Sequence, residues 1–365
     1  MDDAPRVPVI DLTDLYHPYQ DVDDNLDLLL AFGLPDVNLL GVILDAHEPF
    51  RQPVADVRDR PALWADPFGP REPGFVPVTQ LNFVFDRQVP CACGPFTRMR
   101  SPGDAMLDAT RFQQAGVNLL LRLLAVSPEP VHLLVQGSAR PLAVALNREP
   151  DLVLEKVAAA HLVLGSANPD FLEWNVALDE HAARRVLDSP LKVNLFPPGG
   201  EKDPFTPERH NAYWRLASTD WMRGLDPRLR RYLAFAFSCS ARVDYLRALE
   251  VDDPPGTPDP FPDGVHLWTT AAWMEITGRR LVKAGPDGEF RLERPRPGGP
   301  EPLPHALRPA RLEWGEGGRF ATRLDEGNGR LRVYDRGDPL ANQAALNQAF
   351  PALHARLKVP PLEVS

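Results

Sequence analysis

The chain has 365 residues, of which 44% are hydrophobic and 25% are charged, so it has the length and apolar content of a large globular domain. Its net charge of −10 argues against a nucleic acid or an anionic membrane as the main partner. Three cysteines without metal-type spacing indicate buried thiols in a reducing compartment. Because neither a signal peptide nor an apolar run of membrane-spanning length is found, we expect a cytoplasmic protein.

Apolar runs alternate with helical patterns over the first two hundred residues. The run at 6–12 is typical of a buried parallel strand, 25–32 is a leucine-rich helix, and 38–44 completes a βαβ unit. Further strands are predicted at 89–94, 131–137, 160–166 and 191–197, and further helices at 78–86, 104–126, 140–150 and 181–189. This alternation predicts an α/β fold with a mostly parallel open sheet, in which the first strand is internal.

The rest of the chain departs from this alternation. Residues 205–250 are rich in aromatic side chains and are predicted to form a helical insertion. A helix is predicted at 268–278, and 280–357 is predicted to be a small addition of short strands closed by a helix. Since no internal repeat or domain-scale linker is found, we predict a single domain over 1–365 whose core spans about 6–200.

Six aspartates follow the first predicted strand closely. They are Asp11, Asp14, Asp21, Asp23, Asp24 and Asp27. Ligands of such sheets bind beyond the carboxyl ends of the strands, and carboxylates this close repel one another unless water, a cation or donors intervene. A helix N-terminus also stabilises aspartates. The spacing alone therefore leaves open both a metal or sugar site and a solvated loop.

Other motifs narrow the class of protein. The sequence contains no glycine-rich nucleotide-phosphate loop and no G-x-S-x-G nucleophile elbow, which argues against nucleotide-phosphate binding through such loops and against the common serine hydrolases. The nine histidines are scattered along the chain. By position, His266 is the most site-like, because it follows a proline-rich loop and precedes a predicted helix.

One segment resembles the nucleoside hydrolases, the inosine-uridine-preferring N-ribohydrolase family. The matching stretches are G-S-A-R-P at 137–141, E-P-D at 149–151, L-G-S at 164–166 and E-W-N-V-A-L-D-E-H-A-A at 173–183. The family has G-P-L-T-N, a Pro-Asp step, M-G-G and E-F-N-I-x-x-D-P-E-A-A there. With the N-terminal aspartates, the resemblance covers roughly 6–200. It implies a nucleoside-hydrolase-like fold and hydrolysis of an N-glycosidic bond by a metal-activated water.

The resemblance also implies a calcium site. The family's D-T-D-P-G-x-D-D motif corresponds to Asp14 and to Asp23-Asp24, although an eight-residue spacer separates them here. Asp14 would then activate water and bind calcium, with Asp21 as a rival, and Asp24 would be a calcium ligand. Asp23 would bind ribose. Arg140 stands where the family's threonine offers a backbone carbonyl to calcium.

Further substrate contacts are implied in the same way. Glu173 and Asn175 would bind ribose hydroxyls, and Glu48 stands where the family has an asparagine. His266 would protonate the leaving base, on which Trp174 or Trp268 could stack. The family's metal-ligating aspartate after that histidine is Leu267 here. We therefore expect weak calcium binding, unless Asp21 or Glu48 compensates.

Three functions stay open at this point. The first is a metal-dependent N-ribohydrolase or a relative that acts on another glycoside. The second is a non-catalytic nucleoside or sugar binder with the same fold, and the third is an unrelated α/β metal-dependent hydrolase such as a phosphohydrolase. For the first two, the expected partner is a small molecule, and the chain could assemble as a dimer or tetramer.

Overall fold

The computed structural model describes residues 6–48, 71–240, 242–251, 256–284 and 288–361. The first apolar run forms strand β1 (Val7–Thr13), which is followed by helix α1 (Asp23–Gly33) and strand β2 (Val37–Leu44). β1 pairs in parallel with β2. The βαβ unit predicted at the start of the chain is therefore confirmed.

The remaining elements follow in chain order. Up to residue 200 they are α2 (Phe75–Val84), β3 (Cys91–Cys93), α3 (Arg111–Val126), β4 (Val131–Val135), α4 (Arg140–Arg148), α5 (Pro150–Lys156), β5 (Val157–Leu162), α6 (Trp174–Leu178), α7 (Glu180–Leu187) and β6 (Val193–Leu195). After it they are β7 (Trp214–Leu216), α8 (Pro227–Phe237), β8 (Val265–Leu267), α9 (Thr270–Thr277), β9 (Arg280–Lys283), β10 (Phe290–Glu293), β11 (Ala306–Trp314), β12 (Phe320–Leu324), β13 (Leu331–Asp335) and α10 (Pro339–His354).

Nine strands form one open sheet in the order β12-β11-β13-β6-β5-β4-β1-β2-β3. The pairs from β13 to β3 are parallel, and β11 and β12 extend the β13 edge in antiparallel pairing. β1 lies between β4 and β2, so it is internal, as predicted. The C-terminal strands β11 to β13 thus continue the main sheet, whereas β7 with β8 and β9 with β10 form separate two-stranded ribbons.

The sheet separates two apolar layers. Val9 packs with the α1 residues Leu26 and Leu28 on one face, while its neighbours Ile10 and Leu12 point into the layer on the other face. This alternation follows from the two-residue period of a strand. Helices therefore flank both faces of a mostly parallel sheet, which confirms the predicted α/β fold. In the described ranges no helix combines the length and the apolar character needed to cross a membrane.

Besides the predicted C-terminal addition, whose strands β11 to β13 join the main sheet, three predicted helical segments differ from the structure. Helix α3 begins at Arg111, because Asp104 accepts hydrogen bonds from the backbone N–H groups of Arg100 and Met106 and holds a turn there. A helix was expected to end at Pro150, but α5 begins there, since proline suits the first helical turn. In the segment predicted as a helical insertion, the only α-helix among the described residues is α8.

Candidate functional site

A cavity of about 410 Å³ opens beyond the carboxyl ends of the central strands. Asp14 follows β1, Gln136 follows β4 and Val163 follows β5, and all three line the cavity. The N-terminus of α1 and the residues after β8 line it as well. This is the position at which open α/β sheets bind ligands, and the volume suits a small molecule.

Four of the N-terminal aspartates line this cavity together. They are Asp14, Asp21, Asp23 and Asp24. Burial raises the pKa of Asp24 well above its ordinary value, and the charges of Asp14 and Asp21 raise it further. The pKa of Asp21 rises to about 6, chiefly through burial. Because these acids destabilise one another's charged forms, the cavity favours bound protons or a cation.

The carboxylate oxygens around the cavity are of the type that calcium binds, but they are not arranged around a single point in the described residues. Carboxylate oxygens are the ligands that hard divalent cations prefer. Within the described ranges, however, no three His, Cys, Asp or Glu side chains are grouped so that they could hold one metal ion. Leu267 is fully buried on β8 and offers no side-chain oxygen. The carboxylates would therefore have to move closer together to hold a cation.

Asp14 has a histidine neighbour that was not predicted. His47 Nε2 lies 3.7 Å from Asp14 Oδ2 and 3.8 Å from Asp45 Oδ2, and all three residues are buried. Burial raises the pKa of Asp14, and its hydrogen bond and charge interaction with His47 oppose that rise. His47 is itself positioned by its backbone N–H, which donates to the Tyr16 hydroxyl at 2.6 Å.

Glu48 does not join this group. The resemblance placed it at the site, where the family has an asparagine, but it is exposed and lies outside the cavity. Its backbone N–H donates to the carbonyl of Phe96 at 3.1 Å, which directs the chain toward the loop after β3. His47, its neighbour in the sequence, approaches Asp14 instead.

Glu173 and Asn175 line the cavity beside the aspartates. Glu173 caps α6, and its carboxylate accepts hydrogen bonds from the N–H groups of Asn175 at 2.8 Å, Gly165 at 2.9 Å and Val176 at 3.2 Å. The amide nitrogen of Asn175 donates to the carbonyls of Val163 at 2.9 Å and Gln136 at 3.2 Å. Both amide hydrogens of Asn175 are thus used at strand ends, and its oxygen is left to accept from a ligand.

Glu173 makes the stability of the protein depend on pH. Burial raises its pKa from 4.5 to about 7. Between these values the folded chain holds a proton that the unfolded chain has released, so stability falls as the pH rises. Over this pH range, the free energy of unfolding of the wild type should fall by up to about 3 kcal/mol more than that of Glu173→Gln. Urea denaturation of both proteins at pH 5 and pH 8 measures it. An equal pH dependence in both proteins would show that Glu173 is ionised throughout.

The side chain of Arg140 does not reach the cavity. It is fully buried, and its Nε donates to Asp179 Oδ2 at 2.7 Å while Nη1 donates to the carbonyl of Pro95 at 2.9 Å. Asp179 therefore neutralises the cation expected beside the calcium site, although Arg140 Nη1 also lies 3.5 Å from Nδ1 of His47, the neighbour of Asp14. Whether its backbone carbonyl could serve a metal, as the resemblance implies, stays a prediction.

Four aromatic side chains also line the cavity. They are Phe171, Trp174, Phe205 and Trp268. Trp174 is 50% exposed, whereas the backbone N–H of Trp268 is fixed by donating to Asp23 Oδ2 at 3.0 Å. A rim of rings beside an acidic interior suits a ligand with one flat apolar part and one hydroxylated part.

His266 lies behind this rim. Its ring packs against Trp268 at 5.8 Å and Phe205 at 5.5 Å, both measured between ring centroids, and its Nδ1 is hydrogen-bonded to the Tyr213 hydroxyl at 2.7 Å. It is not among the residues that line the cavity. Partial burial, followed by the charge of Arg215, lowers the pKa of His266. The structure therefore gives it a supporting position, in place of the contact with a leaving group that we expected.

Several lining residues were missed in the sequence. Gln136 directly follows β4, so the rule that sites lie at strand ends could have found it. Thr269 follows β8 by two residues, so the same rule could have found it. Phe171 and Phe205 had no such signal, because they lie in irregular connections whose path depends on tertiary packing. His47 was passed over because a lone histidine is more often structural.

Comparison with known proteins identifies the fold. No family model matches the chain, and no curated protein matches it. Among solved structures, a purine-preferring ribonucleoside hydrolase from Gardnerella vaginalis aligns with a TM-score of 0.54 and 15% identity, over 95% of this chain and 99% of that one. An inosine-guanosine nucleoside hydrolase aligns with a TM-score of 0.51 and 16% identity, over 94% and 98% of the two chains.

A third solved structure, an inosine-uridine-preferring nucleoside hydrolase from Bacillus anthracis, aligns with a TM-score of 0.46 and 13% identity over 97% of this chain and all of that one. Identities this low establish the architecture only. The resemblance seen in the sequence is confirmed at that level: the chain has the fold of the nucleoside hydrolases, at a large distance in sequence.

Proposed function

We propose that the protein hydrolyses the N-glycosidic bond of a ribonucleoside or a related glycoside. The observation that carries this proposal is the convergence of Asp14, Asp24 and Asn175, from three separate segments of the chain, on one cavity with an aromatic rim. A nucleoside combines the two parts that such a cavity suits, a hydroxylated sugar and a flat base. The fold shared with a purine-preferring ribonucleoside hydrolase supports this substrate class.

The sugar would be held by acceptors that the fold leaves available. Asp23 already uses one oxygen for the backbone of Trp268, and Asn175 offers only its amide oxygen. Glu173 is fixed by three backbone N–H groups, so its remaining lone pair has a set direction. Such acceptors favour ligand hydroxyls, which are donors, and fix the ring before reaction.

Hydrolysis passes through a transition state with positive charge at the anomeric carbon. Asp14 would take the proton of the attacking water, and the other carboxylates would stabilise the developing positive charge. Asp14, Asp21 and Asp24 would hold a calcium ion, which when bound would lower the pKa of that water. His47, 3.7 Å from Asp14, would favour the charged form of this base.

The leaving base would stack on the rings of Trp174 and Trp268 and lie against Phe205. Because His266 contacts two of these rings from behind, we propose that it positions them. His266→Ala should then lower kcat for a nucleoside and for p-nitrophenyl riboside by the same factor, and should also lower Tm. Tyr213→Phe, which removes only the hydrogen bond at 2.7 Å, is the matched control. A loss confined to the nucleoside would instead identify His266 as the acid, since p-nitrophenolate leaves without a proton.

Calcium binding should be weak. Leu267 provides no oxygen, and the other carboxylates are not grouped around a single point in the described ranges. We expect a dissociation constant for this site of about 10⁻⁴ to 10⁻³ M, at the weak end of protein calcium sites. Calorimetric titration of metal-stripped protein measures it. Submicromolar binding that Asp21→Ala abolishes would show that Asp21 has rebuilt the site.

The test of the proposed function is a panel of purine and pyrimidine ribonucleosides, assayed for free base in calcium and in chelator. We expect base release that calcium increases. A second candidate is a protein that binds a nucleoside or sugar without turnover. It is favoured because Leu267 offers no oxygen and because, in the described residues, no three ligating side chains are grouped to hold one metal ion. That candidate predicts saturable binding and no free base. Release from phosphorylated substrates alone would indicate a phosphohydrolase.

A further inference from the structure

A second pair of acidic side chains lies behind the cavity, between β1 and α1. Asp11 on β1 and Asp27 on α1 are both 0% exposed. Neither oxygen of Asp27 makes a hydrogen bond of good geometry, although the Thr269 side chain lies close to this carboxyl group, and Asp11 Oδ2 has no partner. Buried carboxylate oxygens without partners are costly, so the folded protein requires something that neutralises them.

Two neutral side chains connect this pair. Gln136 Nε2 donates to Asp11 Oδ1 at 2.9 Å, and the Thr269 hydroxyl donates to Gln136 Oε1 at 2.9 Å. Thr269 also neighbours Asp27, and the charges of Asp11 and Asp27 repel each other. The four side chains therefore close around one buried region.

Strand β1 supplies a further oxygen to this region. Val9 packs into the core layer that contains α1, whereas Ile10 and Leu12 pack into the opposite layer. The two-residue period of a strand therefore turns Asp11 and Thr13 toward α1 as well. The Thr13 hydroxyl oxygen is buried and has no hydrogen-bond partner. This neutral oxygen is a second sign of an absent ligand, independent of the acidic pair.

We propose that Asp11 and Asp27, with the neutral oxygens of Thr13, Gln136 and Thr269, hold a buried calcium ion. The two carboxylates carry a charge of −2, which a divalent cation neutralises. Carboxylate, hydroxyl and amide oxygens are all ligands that calcium accepts, and it tolerates irregular geometry with six to eight of them. This inner seat adjoins the cavity, which Gln136 and Thr269 also line, but it shares no carboxylate with the Asp14, Asp21 and Asp24 set and does not rest on the proposed function.

The inner seat is tested by the calcium stoichiometry of the full-length, metal-stripped protein in calorimetry and by its melting curve. We expect Asp27→Asn and, separately, Asp11→Asn to bind one calcium ion fewer than the wild type. In chelator both variants should melt no lower than the wild type, because each removes a buried charge. Calcium should raise the wild-type Tm by several degrees more than that of either variant. Asp263→Asn, on the exposed surface, is the matched control and should behave as the wild type.

The outcomes separate the inner seat from the proposed active-site calcium. Asp14→Asn should remove a different calcium ion and leave the one that depends on Asp27. If the proposed function is wrong and the cavity binds no calcium, the wild type binds one ion and Asp27→Asn binds none. If Asp27→Asn and Asp11→Asn both keep the wild-type stoichiometry, or if no protein binds calcium, the inner seat does not exist. The pair would then be neutralised by protons.

Discussion

Replacing Asp14 by asparagine should lower kcat for a ribonucleoside by about 10² to 10⁴-fold through the loss of the general base alone, since such catalysis typically contributes that much, and the change also removes a proposed calcium ligand. Asparagine keeps the shape of the side chain but cannot take the proton of the attacking water. The variant should still fold, since the change removes one of several buried acids that repel one another. We therefore expect an unchanged or higher Tm beside the loss of turnover.

The control for this prediction is the affinity for the nucleoside. Asp23, Glu173 and Asn175 hold the sugar in the proposed complex, so Kd measured by calorimetry should change much less than kcat. Asp263→Asn, an exposed change of the same chemistry, should alter neither quantity. Full activity of Asp14→Asn would show that another residue is the general base. Asp21, which also lines the cavity, would then be the candidate.

The largest expected effect on stability comes from Arg140. Its ion pair with Asp179, at 2.7 Å, joins two side chains that are each 1% exposed. Arg140→Met should destabilise the protein by about 3 to 5 kcal/mol, because it leaves the Asp179 carboxylate buried without its cation. Asp179 also accepts a hydrogen bond from the backbone N–H of Met99 at 2.8 Å, so the loss should spread to the loop that precedes α3.

Urea denaturation of Arg140→Met against the wild type measures this cost. Arg311→Met is the matched control, since Arg311 pairs with Glu313 at 2.8 Å on the surface and should contribute no more than about 1 kcal/mol. A double variant, Arg140→Met with Asp179→Asn, should recover part of the loss. A cost below 1 kcal/mol for Arg140→Met alone would show that water or a neighbouring segment compensates Asp179.

Much of the fold followed from patterns that depend on local chemistry. The apolar run of β1, the leucine-rich α1 and the apolar β2 each carry the period and composition of their structure. β1 is internal and contributes apolar side chains to the layers on both faces of the sheet. Proline was the exception. Pro150 begins a helix in place of ending one, since the effect of a proline depends on its position in the turn.

Site residues that lie at strand ends could be predicted from the sequence. Residues whose side-chain positions depend on tertiary packing could not. Asp14, Asp24 and Asn175 reach the cavity because they follow strands or begin helices at one edge of the sheet. Arg140 has the expected place in the sequence, yet its side chain donates a hydrogen bond to Asp179 and does not line the cavity. Glu48 is turned outward by the path of the chain after β2, and His47, next to it, approaches Asp14 instead.

The most direct measurement of the central claim is the stoichiometry of products from one ribonucleoside of the panel, with wild-type protein and Asp14→Asn side by side in calcium. We predict that the wild type releases one free base for each free ribose over many turnovers. Asp14→Asn should bind the same nucleoside and release about 10² to 10⁴-fold less of both products per unit time. Saturable binding by the wild type with the nucleoside recovered intact would contradict the account and identify a binding protein that has this fold.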